Sequence, residues 1–114
     1  MAAARVIGMQ RARELLMLGR RLSGAEALEW GMAHTAVHDT EVDDAAGELA
    51  GRLAAGPTVA LGLTKWLLNT GQARELSAHL ADEAYAMELG SRSPDFREGL
   101  AAFSQRRDPC FTGR

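Results

Sequence analysis

Breaks recur along this chain at short intervals, and they limit it to a series of short helices. They fall at Gly19, Gly31, Gly56-Pro57, Gly71, Ser93-Pro94 and Pro109. Glycine supplies the left-handed residue that ends a helix, and proline can open one but not continue one. Between the breaks, apolar residues recur at helical spacing. Ile7, Ala12, Leu15 and Leu18 predict a helix over about 4–18, with Gly8 interrupting it. Ser23-Gly24-Ala25-Glu26 is a Ser-x-x-Glu capping box that starts a two-turn helix, which Gly31 ends. Residues 32–37 (Met-Ala-His-Thr-Ala-Val) suit a short strand. A third helix, capped by Asp39 or Thr40, carries Val42, Leu49 and Leu53. A fourth begins at Pro57 and carries Val59, Leu63, Trp66 and Leu67. A fifth, about 72–89, carries Leu76, Leu80, Ala84 and Met87 along one side. Ser93-Pro94-Asp95 joins a cap, a first-turn proline and an acid near the positive end of the helix dipole, and Phe96, Leu100 and Phe103 follow. Residues 106–114 should be irregular, because Pro109 stops any helix. The fold class is mainly α, with one or two short strands and no internal repeat.

Alanine carries much of the 46 % apolar fraction, while Phe, Trp and Tyr number only 3, 2 and 1. Such a chain buries little area, so its own core should be thin and a partner surface is expected. Net charge is −2, and the 13 Lys and Arg are scattered. That predicts no nucleic-acid partner and no membrane partner, and no stretch approaches the roughly 20 apolar residues of a membrane span. The first residues lack the apolar run of a secretory signal. Their arginines fit a helix face, with a mitochondrial-type presequence as the alternative. The single cysteine, Cys110, allows no internal disulfide, and a reducing cytoplasm is the expected location.

Motifs for chemistry are scarce. The dinucleotide, phosphate-loop, zinc-protease and nucleophile-elbow signatures are all missing from the sequence. His34 and His38 lie among acids, but in an extended segment they stand about 13 Å apart, so no metal site is expected. His79 reads as a partly exposed helix histidine. Asp82, Glu83, Glu88, Asp95 and Glu98 read as solvated helix acids rather than as a buried proton-transfer group. Cys110 has no base near it in sequence and reads as a passive thiol. Residues 22–37 imitate a helix-turn-helix, but acids follow where a DNA reader needs positive charge.

Four stretches, in order, resemble a known family. Gly19-Arg20-Arg21-Leu22-Ser23-Gly24-Ala25-Glu26-Ala27-Leu28-Glu29-Trp30-Gly31-Met32-Ala33 is similar to a segment of the enoyl-CoA hydratase/isomerase (crotonase) family. Glu48-Leu49-Ala50-Gly51-Arg52-Leu53-Ala54-Ala55-Gly56-Pro57 stands at the family's next helix end. Ala60-Leu61-Gly62-Leu63-Thr64-Lys65-Trp66-Leu67-Leu68-Asn69 resembles its following mark. Ser93-Pro94-Asp95 through Glu98-Gly99 to Phe103, then Arg106-Arg107, Pro109, Phe111 and Gly113, matches its last one nearly throughout.

The resemblance covers about residues 6–114. It implies the C-terminal helical region of the ClpP/crotonase-like fold, with the β/α spiral core absent. Residues 1–71 would be lid and connector helices with a short strand, and 72–114 terminal helices with a trimer-type contact. The family's oxyanion-stabilising N–H groups and acid/base Glu lie in the core, so no catalytic residue is expected here. The complete enzyme would act on a fatty acyl-CoA thioester, with CoA as part of the substrate and no metal or redox cofactor. Partners implied are acyl-CoA and either a homo-oligomer or an N-terminal catalytic half. The resemblance places Met87 at an adenine-side apolar contact, where the family often has an aromatic. It places Arg106 at a basic contact to CoA, where Lys is commoner. For Met87 the alternative is core packing on the Leu76/Leu80 stripe, and for Arg106 a solvated tail cation. For the whole chain the alternatives are a stand-alone helical oligomerisation module and a helix-turn-helix DNA binder. Helices made to cover a core should expose apolar faces, and oligomers or aggregation are expected.

Overall fold

The computed structural model describes residues 2–114, with side chains from residue 3. It contains α1 (Ala2–Met17), α2 (Gly24–Glu29), a 3-10 turn (Asp39–Glu41), α3 (Val42–Ala54), α4 (Thr58–Gly71), α5 (Leu76–Ser91) and α6 (Pro94–Gln105). The chain forms two compact units, Met1–Ala46 and Gly47–Arg114.

The predicted caps are present. Ser23 and Glu26 form the reciprocal capping box of α2, the serine hydroxyl accepting from Glu26 N–H at 3.2 Å and Glu26 accepting from Ser23 N–H at 2.9 Å. Ser23 and Arg20 hold the Glu26 carboxyl below its usual range. Gly31 takes φ 74°, as a left-handed helix stop requires. Ser93 accepts from Phe96 N–H at 3.1 Å and so starts α6.

Three expectations need correction. The strand over 32–37 is absent, and no strand occurs among the described residues. A strand needs a neighbour to take its backbone N–H and C=O groups, and this segment finds none. The absence of a second helix there also removes the helix-turn-helix geometry. The chain turns into α3 one residue earlier than expected, through the 3-10 turn, where Glu41 accepts from His38 N–H at 3.3 Å. The fifth helix starts at Leu76, because tight turns occupy the preceding residues, with Ala73 N–H on Thr70 O and Arg74 N–H on Gly71 O. Within α1, Gly8 interrupts the helix as expected: it takes φ 79° and ψ 159°, a conformation open only to glycine, and divides the helix in two.

In the first unit, Ile7, Ala12 and Trp30 form a small core, with Ala4, Leu15 and Leu22 against it. The Trp30 ring has the Arg11 guanidinium 5.2 Å and the Arg20 guanidinium 5.0 Å from its centre, within range of a cation–π attraction. Arg20 also pairs with Glu14 and Glu26. Trp30 therefore serves packing.

The second unit is built on α4, α5 and α6 in sequence, α5 packing on both of the others. Small side chains make the close contacts. Ala86 of α5 and Ala102 of α6 are buried, and Gly90 approaches Leu63 of α4. The apolar stripes are turned outward, as expected of helices made to cover another body. Leu76, Leu80 and Met87 of α5 are exposed, as are Phe96, Leu100 and Phe103 of α6. Phe103 reaches 85 % exposure. The same is true of Val42, Leu49 and Leu53 of α3.

Where α4 ends, the His79 ring of α5 lies directly over Gly71. A methyl on Gly71 would stand 2.4 Å from His79 Cε1. Gly71→Ala is therefore expected to lower unfolding stability by about 1–2 kcal/mol. In a His79→Ala background the same change should raise it by about 0.5–1 kcal/mol, because only helix propensity then remains. Thermal unfolding of the four proteins checks the reversal of sign; the same sign in both backgrounds would contradict the contact.

Candidate functional site

Two features of the second unit could serve function. One is an open apolar groove between α4, α5 and α6, of about 580 Å³. Leu63 and Leu67 line it from α4, Met87 from α5, Phe96 and Leu100 from α6, and Phe111 from the tail. The other is the turn after α6, where two carboxylates grip the last residues of the chain.

Asp95 is 2 % exposed, so the reading of it as a solvated helix acid is wrong. Its two oxygens accept four hydrogen bonds. Oδ1 takes Thr112 N–H at 2.7 Å and Thr112 Oγ1 at 3.2 Å, and Oδ2 takes Gly113 N–H at 2.8 Å and Arg114 N–H at 3.2 Å. Its own N–H donates to Arg114 O at 3.1 Å. Burial of a carboxylate is tolerated because each lone pair is satisfied. The Thr112 N–H, more than any other neighbour, holds this carboxyl below its ordinary value.

Glu98, one turn further along α6, accepts from Arg107 Nη1 at 2.6 Å and Nη2 at 2.9 Å, and from Cys110 N–H at 2.8 Å. This two-pronged pairing with a guanidinium is the strong form of the ion pair. It lowers Glu98 to about 2, with Arg107 the larger cause and Cys110 N–H the next. Phe111 then lies against Gly99 and closes one end of the groove. The tail is non-helical, as expected, yet it is fixed. The Asp95/Glu98 spacing on the first turns of α6, with Arg107 beyond its end, was the available signal in the sequence.

Of the two residues proposed from the sequence, one borders the groove and the other does not. Met87 is 74 % exposed, so it is not packed into a core with Leu76 and Leu80, which are themselves uncovered. It borders the groove. Arg106 does not line that groove. It stands in the turn after α6 with φ 54° and ψ 42°, the one non-glycine residue of positive φ among those described. Its backbone N–H caps α6 on Ala102 O and Phe103 O.

Other candidates come to little. No group of three or more His, Cys, Asp or Glu among the described residues has metal-binding geometry. His79 faces Glu83 at 3.3 Å, and Arg74 faces Asp82 at 3.0 Å. The Cys110 side chain is exposed. No helix of the described residues is long and apolar enough to cross a membrane.

A helical array of this order, with its large apolar residues outward, is the C-terminal helical region of the crotonase fold. A crystal structure of an enoyl-CoA hydratase from Polaromonas sp. JS666 superposes with a TM-score of 0.90 at 30 % identity, covering 97 % of this chain and 43 % of that one. The family model for enoyl-CoA hydratase/isomerase matches residues 1–114, and the chain belongs to that family. It is similar to the 1,2-epoxyphenylacetyl-CoA isomerase of Escherichia coli (strain K12), with 43 % identity over 110 residues, 96 % of this chain and 42 % of that relative. It is also similar to 4-chlorobenzoyl coenzyme A dehalogenase-1 of an Arthrobacter species, with 32 % identity over 102 residues, 90 % of this chain and 37 % of the relative. The chain thus spans about two fifths of the length of these relatives.

Both gripping carboxylates have depressed folded-state values. Each therefore stabilises the tail above the ordinary carboxylate range, near pH 4, and loses that contribution as pH falls through its folded value. Amide exchange of Cys110, Thr112 and Gly113 should stay protected, after correction for intrinsic rate, from pH 8 down to about 5. Protection of Cys110 should fall between about 4 and 2, and that of Thr112 and Gly113 should fall only below the ordinary carboxylate range. Asp95→Asn keeps one acceptor oxygen but sets an NH2 against the remaining N–H donors, and should weaken protection of Thr112 and Gly113 at neutral pH while leaving Cys110, which is held by Glu98, protected. Full protection of Thr112 and Gly113 in Asp95→Asn at neutral pH would contradict the geometry.

Proposed function

We propose that this chain serves as the C-terminal helical part of an enoyl-CoA hydratase/isomerase family enzyme that acts on fatty acyl-CoA thioesters. In this reading it supplies scaffold, subunit contact and a contact to the CoA nucleotide, and the proton-moving and oxyanion-stabilising groups stand outside these 114 residues. The names of its relatives carry the reading. They include an isomerase, a hydratase and a dehalogenase. Their reactions differ, and the handle their names share is coenzyme A. A region similar in all of them fits what the reactions have in common, namely the scaffold and the CoA end.

The geometry supports the same division. Stabilising a thioester enolate requires convergent N–H donors, and proton transfer requires a carboxylate free to bind and release a proton near neutral pH. The buried carboxylate here, Asp95, has every lone pair occupied by tail donors and its acidity strengthened. Glu98 is committed to Arg107 and Cys110. Neither is poised to move a proton at neutral pH. By contrast, Met87 offers an exposed thioether for apolar contact with a ring, and Arg106 an exposed guanidinium suited to a phosphate. The outward stripes of α3, α5 and α6 fit a role in covering a catalytic body or neighbouring subunits, the trimer-type contact being assigned to 72–114.

The pure 114-residue chain is expected to show no hydration of crotonyl-CoA above the uncatalysed rate. Loss of the thioester-conjugated absorbance in its presence, absent from a heat-treated sample, would refute this division of labour.

A further inference from the structure

The two consecutive arginines after α6 are used differently. Arg107 is fully engaged. Its guanidinium meets both oxygens of Glu98, Gln105 Oε1 at 2.7 Å and Asp108 O at 3.1 Å. Its N–H donates to Ala102 O at 3.1 Å. Arg106 makes no side-chain hydrogen bond or ion pair among the described residues, yet its backbone is held in the left-handed region, which L side chains rarely adopt. The residues on either side of it, Gln105 and Arg107, are tied to each other by their side chains. Glu98 ties Arg107 and Cys110 back to α6 from beyond the turn. The clasp has two consequences. It fixes the backbone from which the Arg106 side chain leaves, and it occupies the nearby carboxylate that would otherwise compete for the Arg106 guanidinium.

We propose that Glu98 is a positioning residue: by clamping Arg107 and Cys110 it presents Arg106, rather than Arg107, to a phosphate of the CoA nucleotide. This rests on the CoA contact proposed above. An exposed arginine on a loose tail would lose much of its ordering entropy on binding. A guanidinium leaving a fixed turn loses less, and a carboxylate clamp one residue away is a direct way to fix it.

The test titrates the complete 114-residue chain with CoA and, separately, with pantetheine, which lacks the nucleotide. Arg106→Ala, Glu98→Gln and Arg107→Gln are compared with the parent, and amide exchange over 106–114 and the melting midpoint are followed in each. The parent is expected to prefer CoA. All three variants should lose roughly tenfold of that preference, the size of one charge-assisted contact, with pantetheine affinity unchanged. Faster exchange over 106–114 should accompany the loss in the two clamp variants only. Should Glu98→Gln fail to melt cooperatively, Arg107→Gln breaks the same clamp from its other side. Faster exchange with the CoA preference intact in the clamp variants, while Arg106→Ala loses it, would overturn the positioning role and leave the CoA contact standing. No preference in the parent, or none lost in Arg106→Ala, would overturn the contact and the positioning with it.

Discussion

The structure turns on which side chains hold the helices together and which face away. Contacts within the second unit run through Ala86, Gly90, Gly71 and Ala102, whose small size lets backbones approach closely. The large apolar residues of α3, α5 and α6 point elsewhere. Apolar area removed from water is the main source of folding stability, at about 25 cal/mol per Å². Here that source is largely unspent, since the large apolar residues of these helices stay exposed. Helices patterned in this way are patterned for burial against another body. The resemblance of the chain to about two fifths of much longer relatives has the same physical content.

Polar contacts then carry an unusual share of the local order. Asp95 and Glu98 bind the tail through seven donor contacts from Arg107, Cys110, Thr112, Gly113 and Arg114. Thr58 adds a bond to Gly113 O at 2.9 Å. These contacts shape the tail without an apolar core beneath it, and they set Phe111 against Gly99 at the edge of the groove. The order so created surrounds Arg106, which links the fold of the tail to the site proposed for CoA.

Much of this was legible in the residues. Caps are local chemistry, so Ser23-x-x-Glu26 and Ser93-Pro94 specified their helix starts, and Gly31 its stop. Helical periodicity gave each α-element its place and type. The faces were a different matter. Leu76, Leu80 and Met87, or Phe96, Leu100 and Phe103, mark a stripe to be covered, but a stripe does not say whether its cover lies in the same chain. Reading Met87 as packed on that stripe assumed that it did. The strand at 32–37 failed for a related reason, since β-branched and small residues favour extension while only a neighbour can make a ladder. Asp95 and Glu98 were read as solvated because their partners lie 9 to 19 positions away, beyond any local pattern. Met87 and Arg106 came from family resemblance, and the structure shows both exposed but not on a common pocket.

The central claim is that the outward apolar stripes require a cover that these helices do not give themselves. Sedimentation velocity over a hundredfold range of protein concentration tests it most directly, read together with the fluorescence of a dye that binds exposed apolar surface. Concentration-dependent self-association, with dye binding that falls as larger species form, is the predicted result. A monodisperse monomer at every concentration that binds no dye would contradict the account.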